Sequence, residues 1–273
     1  MRDFKEIFKA YVNKNESLFK GKTVVDFPAG SGVISQYLNE KGWGIKVLPF
    51  DLFPEFFKYT GLKCIKADAM AGLPLEKNSV DMILCQEGIE HFSDQLKSLK
   101  NFSQILKMGG TLIVTTPNYS NIVAKLSYLL TESERFNRYM APNEVDSIWL
   151  NQNVKDNEIY LGHVFLIGIQ KLRLMGKLTG FKIKNIHFSE FKFSAFCWFV
   201  VFYPFIVLSN VITYLKNARK NPSAKEVYRQ VLKLAINPKI LIDGSLVVEF
   251  EKELEVDQVV GQLRKTGSFD VET

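Results

Sequence analysis

The segment running from Val24 to Gly32, VVDFPAGSG, constrains the fold of this chain more than any other. An apolar, β-branched run leads into a turn of small residues, and residues 30–41 then read as a helix. Such a turn leaves free amides and the positive end of a helix dipole facing whatever sits above it. A glycine such as Gly30 or Gly32 lets a ligand approach the backbone closely. The alternation then repeats. Strands are predicted at 22–27, 45–50, 64–66, 80–85 and 111–115, with Gly109 and Gly110 turning the chain into the last of these and Pro117 stopping it. Helices are predicted at 4–18, where the pattern is amphipathic, and at 94–106. Farther on, a helix at 166–179 ends at Gly180, a plausible C-terminal cap. Two more strands are predicted at 181–188 and 245–253. Strands alternating with helices at this pace predict an α/β fold built on a doubly wound parallel sheet with right-handed connections. With 273 residues, one domain over 1–273 can bury a sizeable core. Residues 119–162 are less regular and read as a lid or substrate-covering insertion.

Loops that bind a dinucleotide pyrophosphate carry the pattern G-x-G-x-x-G. Here the position of the third glycine is Ser35, and an acid, Asp26, stands at the strand tip. A carboxylate there repels pyrophosphate but suits a cationic amino group, such as that of a methionine moiety. The second strand ends at Asp51, about twenty residues after the loop, where a carboxylate meets a ribose diol. Asp68 closes the third strand, where it can accept a hydrogen bond from an adenine amine. Three acids at three successive strand ends lie along one crevice, the usual ligand site of an open α/β sheet.

Residues 22–118 resemble the class I S-adenosylmethionine-dependent methyltransferases. VVDFPAGSG is similar to their first motif. ADAMAGLPLEKNSVDMILCQEGIEHFSD is similar to the stretch holding their third and fourth strands, and LKMGGTLIVTTPN to their fifth-strand motif. The resemblance implies a Rossmann-like seven-stranded sheet in the order 3-2-1-4-5-7-6, the seventh strand antiparallel. It implies S-adenosyl-L-methionine as cofactor, with Asp26, Ala29, Gly30 and Gly32 around the methionine part. By the same resemblance Asp51 and Leu52 hold ribose and adenine, Asp68 and Ala69 face adenine, and Gln86 lies near the amino acid end. Two positions depart from the pattern. Pro28 replaces the usual first glycine, which excludes a glycine-only backbone angle there, and Met108 replaces a common proline.

Methyl transfer from a sulfonium is an in-line displacement that gains much from positioning, and a neutral hydroxyl acceptor also gains from a general base. His91, in GIEHF, follows the fourth strand, where the family often has Glu-His; it is a candidate for acceptor contact or catalysis, against a role with Glu90 in bracing the helix start. His163, in LGHVF, is a second candidate, against a partly buried structural histidine. His187, in the sixth strand, reads as structural, and Glu87 as a solvated loop acid. The three histidines and three cysteines have no metal-ligand or disulfide spacing.

Residues 193–215, from Phe193 to Leu215, form an uncharged apolar stretch long enough to span a bilayer. If the sixth and seventh strands pair in one sheet, however, a single span strands the seventh across the membrane. Lys182, Lys184 and Lys192 precede the stretch, and Lys216, Arg219, Lys220, Lys225 and Arg229 follow it, so both flanks favour the cytoplasmic face. Within an apolar and basic insertion over 190–240, the stretch is predicted to be a hairpin or in-plane helix, kinked at Pro204, that dips into the inner leaflet. A dimer interface and a covered substrate pocket are the alternatives.

A net charge of +6 selects no partner by itself, and no basic groove with interleaved aromatics points to nucleic acid. The N-terminus lacks the apolar core of a signal peptide. The reading is therefore an O-methyltransferase, cytoplasmic and peripheral to the membrane. Its acceptor is amphiphilic: a lipid-linked sugar, a quinone precursor or a similar molecule. Its rivals are a soluble small-molecule or sugar methyltransferase that dimerises through the apolar segment, and a non-catalytic cofactor-binding scaffold.

Overall fold

The structure is a computed structural model that describes residues 4–133, 140–149, 160–162, 164–189, 191 and 193–265. Its centre is a seven-stranded sheet of β1 (Thr23–Asp26), β2 (Lys46–Asp51), β3 (Ile65–Lys66), β4 (Val80–Gln86), β5 (Leu106–Pro117), β8 (Phe181–His187) and β9 (Ser245–Lys252). A separate ribbon pairs β6 (Ile148–Trp149) with β7 (Tyr160–Leu161). The sheet order is β3-β2-β1-β4-β5-β9-β8, which without the ribbon is 3-2-1-4-5-7-6. The strand β9 runs antiparallel to both of its neighbours, and the other pairings are parallel.

Both faces of the sheet are covered, so its central strands are apolar on both sides. Side chains alternate between the faces. Val25, Ile83, Cys85, Leu112 and Val114 enter one core with α4 (Gln95–Ile105) and α6 (Ile169–Leu178). Val24, Met82, Leu84 and Ile113 enter the other, beneath α1 (Phe4–Lys14), the short α2 (Glu16–Phe19) and α3 (Val33–Asn39). Each fully buried Val, Leu or Ile contributes about 1.5–3 kcal/mol.

Several boundaries differ from the sequence reading for local reasons. The helix α3 begins at Val33, not at residue 30, because Gly30 and Gly32 have φ of 51° and 83° and cannot belong to a right-handed helix. The Gly109–Gly110 turn lies inside β5: Leu106 pairs with Val80 and Thr111 with Met82, so the intervening residues bulge outward around Gly109, at φ 72°. The irregular stretch after β5 contains a helix, α5 (Ile122–Thr131), whose cap is the Asn121 side chain accepting from the Ala124 amide at 2.8 Å.

Gly180 ends α6 as expected. Its φ is 88°, and an added Cβ would meet the Leu254 carbonyl oxygen. Gly180→Ala is therefore expected to cost about 2 kcal/mol or more, measured as a lower denaturation midpoint in urea with an unchanged slope.

The insertion between β8 and β9 corrects part of the expectation. The apolar stretch makes no hairpin: α7 (Phe193–Lys220) is one helix of 28 residues that continues through Pro204. A proline inside a helix costs about 3 kcal/mol; here the neighbouring packing carries the helix past it. Ala195, Phe199, Phe202 and Ile206 pack against Ile122 of α5 and Ile242 of α9 (Pro238–Ile242). The Tyr203 hydroxyl donates to the Ile236 carbonyl, just past α8 (Lys225–Ala235), at 3.2 Å. Among the described residues a further helix, α10 (Val256–Lys265), follows β9.

Both roots of the insertion are tied to Asp243. Its carboxylate accepts from the Ser189 amide and hydroxyl, and its carbonyl accepts from Asn118 Nδ2 at 2.8 Å. By length and composition α7 is long and apolar enough to cross a membrane. The sheet forbids a crossing: β8 and β9 pair side by side. The return helix α8 has 11 residues, about 16 Å, half of a hydrocarbon core about 30 Å thick.

Candidate functional site

Every parallel strand ends at one edge of the sheet, and the candidate residues collect there. Asp26 ends β1 and Asp51 ends β2, its neighbour. Between them the loop is clamped across the two strands. The Ala29 amide donates to the Phe50 carbonyl at 2.9 Å, and the Gly30 amide to Asp51 Oδ2 at 2.7 Å. The other Asp51 oxygen takes the Phe53 amide at 2.9 Å, which fixes the path of Leu52. Burial raises the Asp51 carboxyl above its ordinary range, against the lowering effect of these two amides.

Asp26 lies deeper, at 1% exposed. The Ser35 hydroxyl, one turn into α3, donates to its Oδ2 at 2.7 Å. Burial lifts the Asp26 carboxyl to about 7; the nearby Asp51 adds to this and Ser35 opposes it. In the sequence Ser35 stands only where a third glycine is missing, yet in the fold it is the residue that orients Asp26. The available signal was a small hydroxyl one helical turn beyond the loop.

The loop has room above it. An added Cβ on Gly30 would meet nothing within 4 Å, whereas one on Gly32 would lie 2.6 Å from the Phe57 ring. Phe57 and the bond from the Lys58 amide to the Ser31 carbonyl, at 3.2 Å, fold the segment after β2 back onto the loop. The glycine replaced by Pro28 has its complement at Gly88, where a side chain would run into the proline ring.

Asp68 follows β3, the next strand outward. Its Oδ1 accepts the Met70 amide at 2.8 Å, and Asn101 of α4 donates to the Ala69 carbonyl at 2.7 Å. Gln86 ends β4, on the opposite side of β1. Asp26, the loop, Asp51 and Gln86 thus share three adjacent strand ends, with Asp68 and Ala69 one strand beyond.

His91 ends the 3-10 turn Ile89–His91. Its Nδ1 lies 3.2 Å from the Gly162 carbonyl, and Gln95 reaches the carbonyls of Ile89 and Phe165. The turn therefore grips the segment leading to α6. His163 lies outside the described residues. Glu87 is not a solvated acid: it is half-buried with φ of 45°, and its Oε1 is shut off from water. His187 has a structural partner on the α1 face, with Nε2 2.9 Å from Glu249 and its ring against Tyr11. This contact, with Lys184 and Tyr11, holds the Glu249 carboxyl below its ordinary range against the opposing effect of burial.

The family model described as a methyltransferase domain matches residues 25–114, which hold the loop, the acids and the strands that carry them. Over these residues the chain is similar to the S-adenosylmethionine-dependent methyltransferases. Among curated relatives, the chain is similar to a ubiquinone biosynthesis O-methyltransferase of Xanthomonas campestris, 28% identical over 36% of this chain and 44% of that one. It is also similar to one of the same description from Xylella fastidiosa, 32% identical over 40% and 46%. The chain spans less than half the length of these two relatives. A solved SAM-dependent methyltransferase from Archaeoglobus fulgidus shares the fold, with a TM-score of 0.53 and 15% identity over 92% of this chain and 96% of that one. The family's cofactor is S-adenosylmethionine, and the open space over Gly30 between two buried acids fits a ligand that is cationic at one end and carries a diol.

Proposed function

We propose that this methyltransferase transfers a methyl group to a hydroxyl oxygen of an amphiphilic acceptor, a quinone precursor or a lipid-linked sugar, while peripheral to the cytoplasmic membrane. One observation carries the reading. The exposed apolar helix α7 is inserted between β8 and β9 at the same sheet edge on which Asp26, the loop and Asp51 stand. A greasy acceptor and the cofactor loop therefore meet on one side of the molecule. The similarity to ubiquinone biosynthesis O-methyltransferases favours oxygen as the acceptor atom and a quinone precursor as its carrier.

When bound, S-adenosylmethionine supplies an electrophilic methyl group on a sulfonium. The chain's own residues do the rest. Asp26, with Ala29, Gly30 and Gly32, receives the cationic amino acid end, with Gln86 beside it. Asp51 takes the ribose hydroxyls, and Leu52, Asp68 and Ala69 receive adenine. His91 would accept the proton of the acceptor's hydroxyl, with His163 as the second candidate. The Gly162 contact orients the His91 ring.

The test is methyl transfer from labelled cofactor to a phenolic quinone precursor, with and without its alkyl tail, by wild type and His91→Asn. Faster transfer to the tailed phenol, and a loss of about a hundredfold or more in kcat for the variant, are the expected results. Methylation of amines with no transfer to any hydroxyl would overturn the assignment to oxygen. An unchanged kcat in the variant would remove His91 from the chemistry.

A further inference from the structure

We infer that α7 and α8 together form a docking surface for an anionic phospholipid bilayer, with α7 lying in the plane of the interface and the basic face of α8 meeting the headgroups. This rests on the amphiphilic-acceptor reading above and names the surface on which that acceptor is met.

The exposed side of α7 is broad. Val200, Val201, Phe205, Leu208 and Ile212 are each more than half exposed. Between and beside them stand only uncharged residues, among them Cys197, Pro204, Ser209 and Thr213, all exposed. The spacing of Val201, Phe205, Leu208, Ile212 and Leu215 also matches the seam of a two-helix coil. Such a seam is narrow and bordered by charged residues that set the pairing. No charge borders this one between Phe193 and Leu215. A wide apolar arc without charged margins is what a lipid interface accepts. Pro204 lies on this exposed arc and has no N–H to give the Val200 carbonyl. At an interface, water and headgroups can satisfy that carbonyl, which the hydrocarbon core cannot.

The charge is arranged to match. From residue 191 to 242 there are eight Lys and Arg against a single Glu, so the insertion carries +7 and the remainder of the +6 chain is nearly neutral. On α8, Lys225, Arg229 and Lys233 recur every fourth residue, and all three are exposed. Lys216, Arg219 and Lys220 are exposed at the end of α7. Arg229 has Glu226 at 3.8 Å, and both side chains are exposed to solvent. The bond from Tyr203 to the Ile236 carbonyl shows that α8 returns beside the middle of α7. The cations therefore run alongside the apolar helix and not only beyond its tip. Juxtamembrane cations attract anionic headgroups cumulatively and are screened by salt.

The experiment is sedimentation of the full chain with vesicles of phosphatidylcholine alone or with 30% phosphatidylglycerol. The same preparations are titrated with S-adenosylmethionine and assayed on a short, soluble phenol. Wild type is expected to bind the anionic vesicles about tenfold or more tightly than the neutral ones, and to lose that preference in 0.5 M salt. The exposed triple variant K225E/R229E/K233E should lose the preference with its cofactor binding intact. F205S/L208S/I212S should lose binding to both vesicle types. Equal binding to both vesicle types by wild type would overturn the headgroup assignment. No vesicle binding, together with a stable dimer in light scattering that F205S/L208S/I212S dissolves, would overturn the docking surface in favour of a second copy. If vesicles bind as expected but no hydroxyl acceptor is methylated, the docking surface stands and the proposed acceptor falls.

Discussion

Asp26→Asn is expected to make the protein more stable at pH 8 and unable to hold its cofactor tightly. The Asp26 carboxyl is raised from 3.8 to about 7 in the folded state, chiefly by burial. Between about pH 4 and 7 the folded protein keeps a proton that the unfolded chain has already released. A group with this raised value lowers stability as pH climbs through that window, by about 1.4 kcal/mol per unit. Above pH 7 the full penalty, about 4 kcal/mol, is present; below pH 4 it is absent, because both states are protonated. Asn has the same shape, never ionises, and can still accept from Ser35. The stability gain of the variant over wild type should therefore be near zero at pH 4 and rise to about 4 kcal/mol by pH 8, read from urea unfolding at several pH values. Cofactor affinity should run the other way: in wild type it rises as pH passes through 7 and the carboxylate forms to meet a cation, and in the variant it is weak and flat. A stability difference that is constant from pH 5 to 8 would show that Asp26 is not the buried, protonated acid described here.

That an acid ends β1 is legible from nine residues of sequence, because the strand, the turn and the helix start each have local signatures. The depth of Asp26 and its bond to Ser35 are not, since both depend on how α3 settles over the sheet. The alternation of elements points to a doubly wound sheet and the family likeness implies its order, but no local signal forecasts the bulge at Gly109. Its bulge appears only when the pairing of Leu106 with Val80 is seen. The apolar stretch shows the limit most plainly. Pro204 reads as a kink in the sequence alone. In the folded chain, packing of Phe199, Phe202 and Ile206 against α5 and α9 outweighs it, and α5 itself was hidden by the short, mixed composition of its flanks. Phe57 on Gly32 and Pro28 on Gly88 were out of reach for the same reason: each is a contact between segments about 25 or 60 residues apart.

Asp51→Ala is the substitution expected to damage the cofactor site most. The Asp51 carboxylate has two structural duties before any ligand arrives, accepting the amides of Gly30 and Phe53, and under the proposed function a third, on the ribose diol. Hydrogen bonds to a charged group contribute about 1.5–3 kcal/mol each. Losing the ribose contact and the fixed loop together should weaken S-adenosylmethionine binding about a hundredfold or more, measured by calorimetric titration beside the demethylated product. Removing a partly desolvated acid limits the damage to the fold, because burial already works against its ionisation. The loss of thermal stability without ligand should therefore be modest, and the loss of ligand-induced stabilisation large. Asp51→Asn separates the duties. Its carbonyl oxygen still accepts one amide, but its NH2 group faces the other as a donor, and it brings no charge to the ribose, so its affinity should fall between the two. If Asp51→Ala bound within about threefold of wild type, the clamp across β1 and β2 would be structural alone, and the ribose partner would have to be sought on another strand end, with Asp68 the nearest acid outward. If binding collapses while the fold survives, the carboxylate that holds the loop is also the one that reads the ligand, and the site's specificity is built on the same bond that shapes it.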